Sequence, residues 1–183
     1  MALNDITWAQ GKQNMGGLKG EFYFVPINDV DFATPPALDV DGKTITGAIT
    51  LQSLKKFYKA YFTKGTGKLD ATSVGERDGK SFECMFEFRV PGNDVANLTA
   101  IEQMLNTPGL WIGEDASGNM IVLGISKNDD GTLHIDFPCY LESANLTTGA
   151  TPADARGVTV QVKSESPHFP LFYTGAIDVD AVT

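Results

Sequence analysis

Apolar and polar positions alternate with a period of two along much of this chain. The clearest stretch is residues 80–90 (KSFECMFEFRV). Phe82, Cys84, Phe86 and Phe88 share one face, and Ser81, Glu83, Met85, Glu87 and Arg89 share the other, as in a strand with one face on a core. Residues 158–163 (VTVQVK) repeat the pattern, with Val158, Val160 and Val162 on one side. Shorter runs predict further strands at residues 21–27 (EFYFVPI), where Pro26 ends the ladder or marks an edge, and at 44–51 (TITGAITL). Residues 110–113 and 120–124 flank a Gly-containing turn and predict a hairpin. Residues 124–126 lead through Asp130-Gly131 to a strand over 132–141, and residues 171–174 make the last one, entered through the stiff segment 167–170.

The period changes once. After Asn93 or Asp94, either of which can cap a helix, Val95, Leu98, Ile101, Met104 and Leu105 follow at helical spacing until Pro108-Gly109 stops the run. Residues 55–62 fit both periods, and their aromatic content favours a strand. Residues 28–42 (NDVDFATPPALDVDG) show no period at all, and a loop of that length in a compact domain is commonly functional or disordered. Gly16-Gly17 sets off residues 1–20 as an N-terminal arm. The expected architecture is mainly β: an antiparallel sandwich or barrel-like domain over 21–183, with one short flanking helix.

Composition narrows the class. The 183 residues, 42% of them hydrophobic, suffice for one domain with a substantial core. No apolar run approaches the ~20 residues of a membrane-spanning helix, and residues 1–20 lack the cationic start and apolar stretch of a signal peptide. No membrane partner is expected. Fourteen Lys and Arg against 23 Asp and Glu give a formal net charge of -9, a poor match for gripping nucleic acid. Cys84 and Cys139 stand far apart in no metal spacing and are expected to be reduced core residues.

Catalytic constellations are scarce. The two histidines, His134 and His168, have no partner at metal spacing. Gly-x-Ser-x-Gly does not occur, and Gly65-Thr66-Gly67-Lys68 lacks the spacing of a phosphate loop, Leu69 standing where a hydroxyl is needed. Asp29, Asp31, Asp39 and Asp41, with Asp129 and Asp130, offer oxygens that suit calcium but lack the EF-hand pattern, so a solvated acidic loop is the favoured reading. Asn97-Leu98-Thr99 and Asn145-Leu146-Thr147 match the glycosylation acceptor pattern, which signifies little without a secretion signal. No enzyme activity, cofactor, metal or catalytic residue is expected. A ligand-binding sandwich, such as a carbohydrate-binding module, would need an exposed aromatic platform, for which Trp8, Trp111 and Tyr173 are the candidates.

Three segments carry a resemblance: residues 58–90 (YKAYFTKGTGKLDATSVGERDGKSFECMFEFRV), 97–124 (NLTAIEQMLNTPGLWIGEDASGNMIVLG) and 157–175 (GVTVQVKSESPHFPLFYTG). In their order of strand, turn, long strand, helix, hairpin and closing strand pair they resemble the tail tube, or major tail, proteins of long-tailed bacteriophages, especially those of Bacteroidetes phages. The resemblance implies a β-sandwich flanked by a helix that assembles with itself into rings, usually hexameric. Sheets join across subunits into a continuous barrel, and stacked rings form the channel for DNA. It implies location in the virion after assembly in the host cytoplasm, other virion proteins as partners, and DNA only as passing cargo. Residues 28–42 and 1–20 are then candidates for contact between rings, and edge strands such as 44–51 for contact within a ring. A capsid decoration protein or head–tail adaptor is the related alternative.

Overall fold

The computed structural model describes residue 6 and residues 14–179. The elements in chain order are β1 (Leu18–Pro26), a short 3-10 turn (Ile27–Asp29), β2 (Thr44–Ile45), β3 (Tyr58–Tyr61), β4 (Lys68–Val74), β5 (Ser81–Pro91) and α1 (Val95–Met104). Then come β6 (Gly109–Asp115), β7 (Met120–Leu123), β8 (Ser126–Lys127), β9 (Leu133–His134), β10 (Tyr140–Thr147), β11 (Gly157–Ser166) and β12 (Leu171–Tyr173). They form a six-stranded sheet, β2-β12-β7-β6-β1-β3, a four-stranded sheet, β10-β11-β5-β4, and a small β8-β9 ribbon. Only the β12–β2 pairing is parallel among the strand ladders. This is the mainly β, sandwich-like domain with one short helix that the periodicity predicts, and it is not a closed barrel.

The two long alternating stretches are neighbours. β5 and β11 pair in register from Gly157↔Pro91 to Ser166↔Phe82. Cys84, Phe86, Phe88, Val158, Val160 and Val162 therefore line one face of the four-stranded sheet, and all are buried. Opposite them, the six-stranded sheet presents Phe22, Phe24 and Trp111. The ring of Phe22 lies 4.8, 4.8 and 4.6 Å from those of Phe62, Phe86 and Phe88. Gly113, paired with Phe22 across β1 and β6, makes room for it, since a Cβ there would come within 2.5 Å of the ring.

The other face of the six-stranded sheet is buried too. Val25, Leu110, Ile112, Val122, Leu171 and Tyr173 point there, and the cover is a layer of loops together with the small β8-β9 ribbon, which contributes Leu133. Val30, Ile45, Ile49 and Phe57 supply its apolar side. Isolated bridges Val30↔Leu51 and Leu38↔Ile45 hold the layer together, and the Tyr173 hydroxyl accepts from Ile49 N–H at 3.3 Å while donating to Ala176 C=O at 2.8 Å.

Four sequence expectations change here. The strand expected over 44–51 shrinks to Thr44–Ile45, because the chain beyond it bends away to bury Ile49 and pair Leu51 with Val30. The strand expected over 132–141 splits into β9 and β10, with Pro138 between them and Cys139 turned back onto Gly109. The arm ends earlier than residue 20, since Leu18 already begins β1 opposite Asp115. Residues 28–42 are stitched into the loop layer rather than hanging free, with Val30 and Pro36 buried. The helix and the aromatic strand at 58–61 stand where the pattern places them. Leu98, Ile101 and Met104 of α1 pack on the inter-sheet core.

Truncating Phe22 to alanine removes the ring that touches both sheets and leaves a hole that glycine-lined β6 cannot fill. The expected loss is about 3–5 kcal/mol, read as a lowered urea midpoint with an unchanged m-value.

Candidate assembly surfaces

The four-stranded sheet ends in two unpaired outer edges: β10, eight residues long, and β4, seven residues long. Such edges present rows of backbone donors and acceptors that another strand can satisfy. Tyr140 and Leu146 on β10 are about half exposed. By contrast, the edge expected within 44–51 is closed inside the subunit: Asp39 N–H donates to Thr44 C=O at 2.8 Å and Thr46 N–H to Ala37 C=O at 2.9 Å.

The solvent face of the four-stranded sheet is polar, as the alternation in β5 and β11 dictates. Asp70, Glu83, Glu87 and Glu165 share it with Lys68, Lys163 and Arg89. Its two lysines are engaged with carboxylates, while Arg89 donates to Ala155 C=O. Lys163 Nζ lies 2.8 Å from Glu83 Oε2, and Lys68 Nζ lies 3.0 Å from Asp70 Oδ2 and 3.8 Å from Glu87 Oε1. Both ammonium groups are held above the ordinary lysine value, chiefly by their hydrogen bonds to Glu83 and Asp70 respectively. Ser143 Oγ donates to Gln161 Oε1 at 2.8 Å, and Gln161 Nε2 donates to Glu87 Oε2 at 2.5 Å. A polar chain thus runs across all four strands, from β10 to Lys68 on β4. Exposed pairs of this kind add at most about 1 kcal/mol each; their effect here is to occupy the cations.

The acidic loop has a structural occupation. Asp41 accepts from Lys43 N–H at 2.7 Å, Thr44 N–H at 2.9 Å and Thr44 Oγ1 at 2.6 Å, which holds its carboxyl below the usual range, the Thr44 side chain being the main cause. Asp130 accepts from Thr132 N–H, Asp31 from Ala33 N–H, and Asp29 pairs with Lys55 at 2.9 Å. Those of Asp41, Asp130 and Asp31 are turn-forming bonds of the kind short acidic side chains make, while the Asp29 pair joins two distant segments. Among the described residues no group of three or more His, Cys, Asp or Glu could hold a metal ion. Gly65-Thr66-Gly67-Lys68 is part of the turn from β3 into β4, Gly65 at φ 81°.

The aromatic candidates do not converge. Trp111 and Tyr173 are 2% and 1% exposed and lie in different cores, and Trp8 falls outside the described residues. An apolar hollow of about 380 Å³ lies instead between α1 and β3, with Tyr58, Ala60, Ile101 and Met104 in its walls and Phe88 and Trp111 reaching it from the core. Nothing in a linear pattern marks it, since its walls come from separate segments.

The two cysteines are buried in the core as free thiols. Burial pushes Cys84 up to about 11 and Cys139 up to about 12. His168 ties three segments together. Its Nε2 accepts from Lys127 N–H on β8 at 2.9 Å, and its Nδ1 donates to Phe169 C=O at 2.7 Å. Lys127 Nζ in turn donates to Gly42 C=O in the loop layer. Burial lowers the His168 value, the Phe169 carbonyl opposes this, and Lys43, Lys127 and His134 depress it further.

Compared with known protein families, curated proteins and solved structures, the chain matches none.

Two measurements check these environments. A thiol reagent at pH 8 should leave both cysteines untouched in the folded protein and titrate two thiols in urea, because only the thiolate reacts. The imidazole of His168, favoured neutral when folded, contributes stability that is complete above its ordinary value of 6.5 and is lost as pH falls below it. The urea midpoint should therefore drop between pH 7.5 and 5.5, and His168→Gln should shrink that drop.

Proposed function

We propose that this protein is a virion structural protein without enzymatic activity, a tail tube subunit that assembles with itself into stacked rings through which DNA leaves the capsid. The observation that carries the reading is the pair of long open edges, β10 and β4, on opposite sides of one sheet. Edge-to-edge contact between unlike patches is head-to-tail, and it closes into a ring when the rotation per subunit divides a full turn. Each junction would satisfy two rows of backbone groups and extend the four-stranded sheet into a continuous wall.

The chemistry of the sheet's solvent face supports its use as a lumen. Its lysines are paired with carboxylates on their own or neighbouring strands, and the whole chain carries a net charge of -9. DNA would be passed along rather than held. Stacking would fall to the arm and to the tip of the loop layer, where Val40 is fully exposed between Asp39 and Asp41. Deleting residues 28–42 is no test of that contact, because Val30 and Leu38 hold the loop layer on the core; Val40→Asp is the informative change. A capsid decoration protein or head–tail adaptor would share the open edges but not need a closed ring, and the sugar-binding alternative gains no support from the buried Trp111 and Tyr173.

Negative-stain electron microscopy with light scattering on the concentrated protein tests the reading. Rings or hollow tubes are expected, and a monomer at every concentration would count against self-assembly. Leu146→Glu at the end of β10 should abolish rings while changing subunit stability by less than about 0.5 kcal/mol, as exposed substitutions do. Rings that persist in this variant would remove β10 from the interface.

A further inference from the structure

The bonds that fasten the β8-β9 ribbon to its surroundings gather around one imidazole. Lys127 N–H on β8 donates to His168 Nε2 at 2.9 Å, and Lys127 Nζ donates to Gly42 C=O in the loop layer. Beside them, Ser126 Oγ lies 3.4 Å from Ser166 Oγ, which accepts from His168 N–H at 3.3 Å. The ribbon itself is slight. Its two strands meet at Ser126↔His134 and Lys127↔Leu133, and Asn128 N–H donates to Thr132 C=O at 2.9 Å across the turn. Leu133, 5% exposed, seats it on the second core.

The partners of the ring fix where its proton sits. A carbonyl can only accept, so Nδ1 carries the hydrogen that bonds Phe169 C=O at 2.7 Å. A backbone N–H can only donate, so Nε2 is bare toward Lys127. A second proton, at Nε2, would set donor against donor there. The charged groups acting on the ring are Lys43 in the loop layer, Lys127 on β8 and His134 on β9, each of which repels an imidazolium when charged. The carboxylates of the same corner face other groups: Asp41 accepts from Thr44 Oγ1 at 2.6 Å, and Asp136 lies 3.2 Å from His134 Nδ1.

We propose that His168 is an acid-sensitive latch, whose protonation at Nε2 releases Lys127 N–H and lets the β8-β9 ribbon lift from the six-stranded sheet, uncovering Leu133. The imidazolium still donates from Nδ1 to Phe169 C=O, so the segment carrying His168 stays in place. The ribbon yields because each of its strands is two residues long, whereas β12, just beyond His168, is paired on both sides. The charge gained by the ring also opposes the return of Lys127 Nζ to Gly42. Burial and the neighbouring cations put the transition below the ordinary value of 6.5. The opening is local and leaves the inter-sheet core closed.

Amide hydrogen exchange of the dilute subunit, read by NMR and corrected for intrinsic rates, tests this independently of ring formation. As the His168 ring signals titrate between pH 7.5 and 4.5, protection of the Lys127 amide should fall at least about tenfold, while that of the Phe22 amide holds. His168→Gln, whose side-chain oxygen can accept the same N–H without titrating, should keep Lys127 protected at both ends of the range. His134→Gln should respond like the parent. A ring still neutral at pH 4.5 would overturn the proposal, as would Lys127 protection that does not follow the titration or the same loss in His168→Gln. Parallel loss at Phe22 would overturn it too, by making the event a global unfolding.

Discussion

Phe22 sits where the two sheets meet, its ring within 5 Å of three rings contributed by two other segments of the chain. That contact sets a requirement on everything around it. β6 must carry glycine at position 113, opposite the ring, or the strands could not approach. β5 must hold strict alternation, so that Phe86 and Phe88 arrive on the inner face together. An aromatic cluster of this kind gains from burial and from tilted ring geometry at once. It also fixes the register of β1, on which both β3 and β6 depend.

The six-stranded sheet is apolar on its second face as well, and the two-stranded β8-β9 ribbon, with Leu133, covers only part of it. The chain solves this with a loop layer, and loops buried on one side must satisfy their own backbone groups. This accounts for the acidic character of the segment. Asp31, Asp39 and Asp41 each accept from backbone N–H groups one to three residues onward, holding turns that let Val30, Ile45 and Ile49 point inward. Charge that looks from the sequence like a binding signature is, in the fold, part of how the cover is built.

What was legible in the sequence follows from this division of labour. β5, β11 and α1 could be read because each packs one face on the inter-sheet core, and one-sided burial writes a period into the chain. The aromatic strand at 58–61 was readable from residue type. The second core was not, because Val30, Ile49 and Phe57 reach it from irregular backbone, and Ile45 from a two-residue strand, so they leave no repeat. For the same reason 44–51 looked like an edge strand: its β-branched residues are buried singly, by loop contacts. The open edges of β4 and β10 are a property of pairing order, and the hollow beside α1 of convergence between distant segments. Neither is encoded in any local window. The tail tube resemblance rests on the order of elements, which the structure's edges make physically usable without deciding it.

The chain of contacts from Ser143 through Gln161 and Glu87 to Lys68 has a consequence for anything charged that moves past that face. An ammonium group already compensated by a carboxylate at about 3 Å offers a passing anion only a weak residual field, and a surplus of carboxylates raises the potential evenly. A polyanion passing Lys68 and Lys163 would meet little residual positive field to hold it, and Arg89, bonded to the Ala155 carbonyl, is the exception on this face.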